Sequence, residues 1–150
     1  MEKFYKLVSK NDLNAIRDEI ASIEKHTSGE IRVCFKLKRG LAVRKKTPRE
    51  LALLEFHKLK MHKTADKTGV LVFILFKERK FEIVADEGIN SKIKQEKWDE
   101  IAAEMSRYFA EGNYRKGVIH CLKEVGKVLA ADFPIKPGDV NELSNEVVVD

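Results

Sequence analysis

Three stretches of the chain have the apolar patterns of β-strands. Residues 30–38 alternate between apolar and mostly polar positions, which predicts a strand with one well-buried face. Residues 70–76 are apolar throughout, so the strand that they form should be covered on both faces and lie inside the sheet. A short polar turn, residues 77–80, leads to a third strand over residues 81–86. We therefore predict that the second and third strands form an antiparallel hairpin.

Four longer stretches repeat apolar residues every three or four positions, as amphipathic helices do. They cover roughly residues 9–28, 47–62, 95–109 and 114–131. The second opens on Thr47-Pro48-Arg49-Glu50, a capping-box pattern with proline at the first helical position. Together these helices can cover both faces of a small sheet.

The order of these elements predicts the fold class. A helix joins the first strand to the second, and such a crossover makes the two strands parallel. We therefore predict an α/β domain, a three-layer α/β/α sandwich around a small mixed sheet. We assign residues 1–131 to this domain and residues 132–150 to an acidic tail that packs on it or trails from it. Three valines at residues 147–149 are a candidate for a further short edge strand.

The composition favours one globular domain. Of 150 residues, 43% are hydrophobic and 35% are charged, which is too apolar for a disordered chain and too charged for a membrane-embedded one. No apolar run approaches the roughly 20 residues that a membrane span requires. The charged N-terminus also lacks the apolar core of a secretion signal, so we expect a cytoplasmic protein.

Charge is distributed unevenly along the chain. The net charge is +5, but the tail holds five acids against Lys136, a net of −4, which leaves +9 on residues 1–131. This asymmetry favours an anionic partner, unless the tail folds back on its own domain.

The predicted topology brings several acids to one end of the sheet. The third strand runs antiparallel to the second, so its last residues return to the end where the second strand begins, and the following helix should face the same end. We call the predicted group the acidic rim: Asp66, Asp86, Glu87 and Asp99. Carboxylates and loop carbonyls suit Ca²⁺ or Mg²⁺, so a divalent-cation site is our hypothesis. The alternative that these acids only cap a helix and a turn stays open.

The opposite end of the sheet collects basic residues. The end of the first strand and the turn of the hairpin bring together a group that we call the basic rim: Lys38, Arg39, Lys77 and Arg79. This group is predicted to bind an anion or the acidic surface of another protein, although surface lysines are usually only solvated. It contains no aromatic residue that could stack on bases, so specific recognition of nucleic acid is not expected.

The cysteines and histidines do not indicate a catalytic centre. Cys34 and Cys121 are far apart in sequence and have apolar neighbours, so we predict two buried, reduced thiols. His57 and His62 lie among lysines, and like charge disfavours a metal ion there. No pair of nucleophile and base is evident, so binding is predicted ahead of catalysis.

Three motifs, taken in order, resemble the TPM domain family: Asp66-Lys67-Thr68-Gly69-Val70-Leu71, Ala85-Asp86-Glu87-Gly88-Ile89 and Glu111-Gly112-Asn113-Tyr114-Arg115-Lys116-Gly117. The resemblance covers about residues 9–131, and the tail is similar to that of a short cytosolic bacterial branch. The family includes a thylakoid acid phosphatase and photosystem repair factors, and some members bind a divalent cation through acids around the hairpin.

The resemblance implies a binding or accessory domain with an acidic cation site and an unknown protein or anionic partner. The alternative that it implies is a divalent-cation-dependent phosphatase that acts on phosphomonoesters. The chain departs from the family pattern at Gln95, followed by Glu96, where the family usually has an aspartate entering the next helix.

Overall fold

The computed structural model describes all 150 residues, which form six α-helices and four β-strands. In chain order these are α1 (Glu2–Leu7), α2 (Lys10–Glu24), β1 (Glu30–Lys36), α3 (Pro48–Lys58), β2 (Gly69–Leu75), β3 (Lys80–Ala85), α4 (Glu87–Asn90), α5 (Gln95–Ala110), α6 (Tyr114–Asp132) and β4 (Val148–Val149). Short 3-10 helices, Leu41–Val43 and Met61–Lys63, lie on either side of α3. None of the helices has both the length and the apolar character needed to cross a bilayer.

The strands form one mixed sheet in the order β3-β2-β1-β4. β1 and β2 run parallel, with Glu30 opposite Gly69 and Lys36 opposite Leu75. β2 and β3 run antiparallel, and β4 adds a two-residue parallel edge to β1. The predicted parallel crossover and hairpin are therefore confirmed, with β2 buried at every position.

Local sequence sets the starts of α2 and α3. Ser9 caps α2, because its hydroxyl accepts a hydrogen bond from the Asp12 N–H while the Asp12 carboxylate accepts one from the Ser9 N–H. Thr47 and Glu50 make the same reciprocal pair before α3, as predicted. Each capping box satisfies two backbone donors that would otherwise lack partners, a stabilisation of about 1 kcal/mol.

Alternate residues of the strands face two separate helix layers. One face packs on α1, α2, α5 and α6 in a core of 24 buried residues that includes Ile16, Trp98 and Leu122. The other face packs on α3 in a core of nine buried residues that includes Phe56 and Phe73. The predicted α/β/α arrangement is confirmed by this division into three layers.

β1 differs from the predicted strand with one buried face. The second face, which the alternation marked as mostly polar, is also covered: Cys34 on it is fully buried, as predicted for its thiol, and its Sγ lies 3.4 Å from Glu55 Oε1 of α3. This side is covered by α3 and by Leu143 and Val148 of the tail. The helices α1 and α4 were not predicted, because six and four residues are too few to show a helical period.

The acidic tail lies along the outer edge of β1. The N–H of Glu142 donates to Glu30 Oε1 at 2.7 Å, and Arg32 Nη2 donates to the Glu146 carbonyl at 3.2 Å. β4 then pairs with the end of β1. An open sheet edge is a template for pairing with another chain, and the tail shields it.

Candidate functional site

The start of β2 and the end of β3 meet at one end of the sheet. The N–H of Asp86 donates to the Gly69 carbonyl at 2.9 Å. Gly88 is so close to the loop before β2 that an added Cβ would overlap the carbonyl oxygens of Asp66 and Lys67. The loop that carries Asp66 and the turn that carries Asp86 are therefore in direct backbone contact.

Asp86 has one carboxylate oxygen in use and one without a partner. Oδ1 accepts a hydrogen bond from the Glu87 N–H at 2.8 Å and so caps α4. Oδ2 is shielded from solvent and has no hydrogen-bond partner. The carbonyl oxygens of Asp66 and Lys67 accept no hydrogen bond from the chain either. A buried, unpaired carboxylate oxygen costs free energy unless a donor or a cation meets it.

His62 adds an unpaired nitrogen to the same end of the molecule. Its Nδ1 is buried without a partner, and its ring lies 4.8 Å from that of His57. Desolvation lowers the pKa of His62 most, the charges of His57, Lys63 and Lys67 lower it further, and Asp86 opposes them weakly. His62 is therefore mainly neutral at pH 7.

Asp99 belongs to a different polar cluster. Its Oδ1 accepts a hydrogen bond from Gln95 Nε2 at 2.9 Å, and the same amide donates to the Ile83 carbonyl at 3.0 Å. Arg49 of α3 donates to the Ile83 carbonyl and to Gln95 Oε1, each at 2.8 Å. Gln95 thus joins α3 and α5 to β3. The sequence analysis missed Arg49, because all of its partners are distant in the chain.

The two other acids of the acidic rim are exposed. Glu87 has no side-chain partner, and Asp66, whose side chain is 65% exposed, lies 4.0 Å from Lys136. A cleft of about 400 Å³ opens beside Asp66, with Lys92 and Lys136 in its walls. No three His, Cys, Asp or Glu side chains converge in a geometry that could hold a metal ion. Any cation at this rim would depend on backbone oxygens as well as carboxylates.

Arg39 of the basic rim is engaged in the fold. Its Nε and Nη2 lie 2.7 and 2.9 Å from the carboxylate oxygens of Glu78. Its Nη1 donates to the carbonyls of Val43, Arg44 and Lys46. Arg39 therefore holds the turn of the hairpin against the loop that follows β1.

The other three members of the basic rim have no such partners. Lys38, Lys77 and Arg79 form no salt bridge within the chain. They are among the residues that line a largely apolar cavity at this end of the sheet. Within the basic rim, Arg39 therefore has a structural role, whereas the side chains of Lys38, Lys77 and Arg79 are free to contact a ligand.

Two carboxyl groups beneath the tail, the buried Glu30 and the half-buried Glu24, are not marked by any sequence pattern. Glu24 Oε2 accepts a hydrogen bond from the Ile31 N–H at 2.7 Å. Burial raises the pKa of Glu24 to about 8, against this hydrogen bond and with a smaller contribution from the charge of Glu30. Burial also raises the pKa of Glu30, whose Oε2 is unpaired. Each lies at the end of a regular element, where acids usually reach solvent, so no pattern marks them.

Both cysteines are buried free thiols, as predicted. Burial raises the pKa of Cys34, and the nearby Glu55 carboxylate raises it further. Burial likewise raises the pKa of Cys121. Because the thiolate is the nucleophilic form, neither group is an activated nucleophile at pH 7.

Comparisons with known families and structures agree with this fold. The family model of the TPM domain matches residues 2–128. The NMR structure of the BA42 protein from the psychrophilic bacterium Bizionia argentinensis is similar over 100% of both chains, with 31% identity and a TM-score of 0.86. The N-terminal domain of a P. gingivalis protein, also solved by NMR, matches 85% of this chain and 79% of that chain. Its identity is 16% and its TM-score 0.69, so it supports the fold alone. No curated protein matches the sequence.

Proposed function

This chain belongs to the TPM domain family, and we propose that it acts as a non-catalytic binding module that holds Ca²⁺ or Mg²⁺ at the acidic rim. One observation carries the proposal. Oδ2 of Asp86 is buried and unpaired in the turn that packs, through Gly88, against the loop carrying Asp66. A cation would compensate this oxygen.

The oxygen atoms near Asp86 are of the kinds that hard cations bind. We infer that Asp86 Oδ2, the exposed Asp66 carboxylate and the carbonyls of Asp66 and Lys67 supply ligands, with water completing a set of about six to eight. Glu87 is a further candidate because it is adjacent and unpaired. Asp99 could bind the cation only after its hydrogen bond with Gln95 is broken. So few charged ligands predict weak binding, with Kd on the order of 10⁻⁴–10⁻³ M.

Calorimetric and thermal-shift titrations with calcium and magnesium chloride test the proposal. We expect about 10 mM of the bound ion to raise Tm by roughly 3–10 °C, because an ion that binds only the folded state stabilises it by mass action. Asp86→Asn should abolish this shift, since asparagine keeps an oxygen to cap α4 but loses the charge. Glu100→Gln, which removes an exposed acid from the middle of α5, is the matched control. If the ion raises the Tm of Asp86→Asn as much as that of the wild type, Asp86 is not a ligand of the cation.

A cation-dependent phosphatase acting on phosphomonoesters is the second candidate, and the cleft beside Asp66 favours it. The cleft holds Lys92 and Lys136, and ammonium groups bind phosphate oxygens. A bound cation would supply polarisation of the phosphoryl oxygen and activation of water. Hydrolysis of p-nitrophenyl phosphate with each ion separates the two candidates. A rate that falls in Asp86→Asn supports catalysis, whereas equal background rates in variant and wild type support binding alone.

A further inference from the structure

An apolar cavity opens at the end of the sheet that carries the basic rim. Its volume is about 410 Å³, within the range of roughly 300–1,000 Å³ that is usual for small-molecule sites. We call it the aromatic cavity, and its apolar walls include Phe4, Leu7, Leu37, Phe76, Phe109 and Tyr114. These residues come from α1, α5, α6 and the segments that follow β1 and β2.

The aromatic walls are held in place by one another. The ring centroid of Phe76 lies 5.1 Å from that of Phe4, 5.3 Å from that of Tyr114 and 6.2 Å from that of Phe109. Phe109 and Tyr114 also meet edge to face at 4.9 Å. Phe4 and Phe109 are almost fully buried. Because the walls are already ordered, an apolar group would enter with little further loss of side-chain entropy.

Every charged side chain that lines the aromatic cavity is basic. These residues are Lys3, Lys38, Lys77 and Arg79. None of them forms a salt bridge, whereas the nearest acid of the hairpin turn, Glu78, is already paired with Arg39. Unpaired cations beside an apolar wall create a positive potential that attracts an anion.

We propose that the aromatic cavity binds a free, small amphipathic anion, with an apolar acyl or aryl body inside the cavity and an oxyanion head beside Lys38, Lys77 and Arg79. The apolar walls would contact the acyl or aryl body of the ligand, and the unpaired cations would bind its oxyanion head. The cavity is a recess of about 410 Å³ that is partly open to solvent, and its size suits the apolar body of one small molecule. The site lies at the other end of the sheet from the acidic rim and does not depend on the cation proposed there.

The dye 1-anilinonaphthalene-8-sulfonate, an aryl sulfonate of this chemical class, is a suitable probe for the full chain. We expect saturable fluorescence with one site per chain, displaced by decanoate and by decyl phosphate. Acetate should not displace the dye, because it has a carboxylate but no long apolar chain. Decyltrimethylammonium should not displace it either, because its apolar chain carries a positive head group. Near-UV circular dichroism must stay native, because the dye also binds partly folded proteins. Absence of saturable binding, or equal displacement by the cationic amphiphile, overturns the proposal.

Matched charge-reversal variants test the position of the head. Lys38→Glu with Lys77→Glu should weaken dye and decanoate binding at least about tenfold, because attraction becomes repulsion at the cavity mouth. Lys94→Glu with Lys97→Glu makes the same change in net charge at the start of α5 and should alter affinity by less than about twofold. Equal affinities in the two double variants would mean that net charge alone attracts the dye, and would overturn the proposal.

Two further measurements test the body and the source of the ligand. Leu7 is 51% exposed at the cavity wall, so Leu7→Ser should keep the fold and weaken decanoate binding. Unchanged decanoate affinity in Leu7→Ser would place the acyl chain elsewhere. Binding to phosphatidylglycerol vesicles without any response to free decanoate would indicate a membrane surface and would also overturn the proposal.

Discussion

Oδ2 of Asp150 lies 3.1 Å from Nζ of Lys36, which pairs the last residue of β1 with a residue 114 positions further along the chain. Lys58 of α3 approaches the same oxygen at 2.9 Å. Hydrogen bonds from Lys58 and then Lys36 lower the pKa of Asp150. The tail is thus fastened to both a strand and a helix at its far end.

Asp150→Asn should lower the free energy of unfolding by about 0.5–1 kcal/mol at pH 7, the usual value of a partly exposed ion pair. Because the folded-state pKa is lowered, this contribution is complete above the unfolded-state pKa and is lost as pH falls through the folded-state pKa. Urea denaturation should therefore separate variant and wild type at pH 7, and the difference should shrink as pH falls below the unfolded-state pKa of about 3.9. A difference that persists in acid would contradict an electrostatic origin.

Glu24→Gln should reduce the loss of unfolding free energy that accompanies a rise in pH. Burial raises the folded-state pKa of Glu24 to about 8, so its protonated form contributes stability below the unfolded-state pKa. That contribution is lost as pH rises from about 4.5 to about 8, with a slope of at most about 1.4 kcal/mol per pH unit. Glutamine keeps the oxygen that Ile31 needs and cannot ionise.

Denaturation midpoints measured from about pH 5 to pH 9 check this prediction. The wild type should lose stability over this interval more steeply than Glu24→Gln, and the two curves should differ most at the alkaline end. Glu30 titrates in the same direction and remains in both proteins, so some slope should survive. Parallel curves would show that Glu24 is ionised in the folded state, contrary to the expectation.

Gly88→Ala should destabilise the domain by roughly 1–3 kcal/mol, because the new methyl group would overlap two backbone carbonyls that cannot rotate away. Gly40→Ala is the control, since nothing lies within 4 Å of a Cβ added there. Urea midpoints with unchanged m-values would measure the difference. Equal stabilities of the two variants would show that the 66–67 loop can move away from Gly88.

Arg39→Ala should lower the melting temperature of the domain, because it leaves the Glu78 carboxylate and the carbonyls of the 43–46 loop without their donor. Arg44→Ala removes an exposed arginine side chain from the same loop and should change stability by less than about 0.5 kcal/mol. Thermal melts of both variants test whether Arg39 is structural. If Arg39→Ala and Arg44→Ala melt at similar temperatures, Arg39 is a solvated surface charge like the other members of the basic rim and does not stabilise the fold.

The regular elements could be predicted because their signals are local and repeated. The capping box at Thr47 marked the start of α3, and the apolar run after Gly69 marked the central strand. Topology alone then placed Asp66 and Asp86 at one end of the sheet. The hydrogen bond between Asp99 and Gln95 could not be predicted, because either acid or amide could have taken several partners in the fold.

The aromatic cavity shows a different limit of sequence analysis. The basic rim was predicted, but the aromatic residues beside it were not. Phe4, Phe109 and Tyr114 come from three helices, and each looks like an ordinary core residue of its own helix. These residues can be recognised as the wall of a cavity only in the folded structure, where they assemble around Phe76.

The burial of β2 at all seven positions has a consequence for how the domain can change. At roughly 3.3 Å per residue, this strand places about 20 Å of rigid apolar material between its two ends, with no ionisable side chain to relay a charge. Perturbations that far apart, with no shared contacts, usually combine additively. We therefore expect substitutions at the acidic rim and at the basic rim to have additive effects on stability.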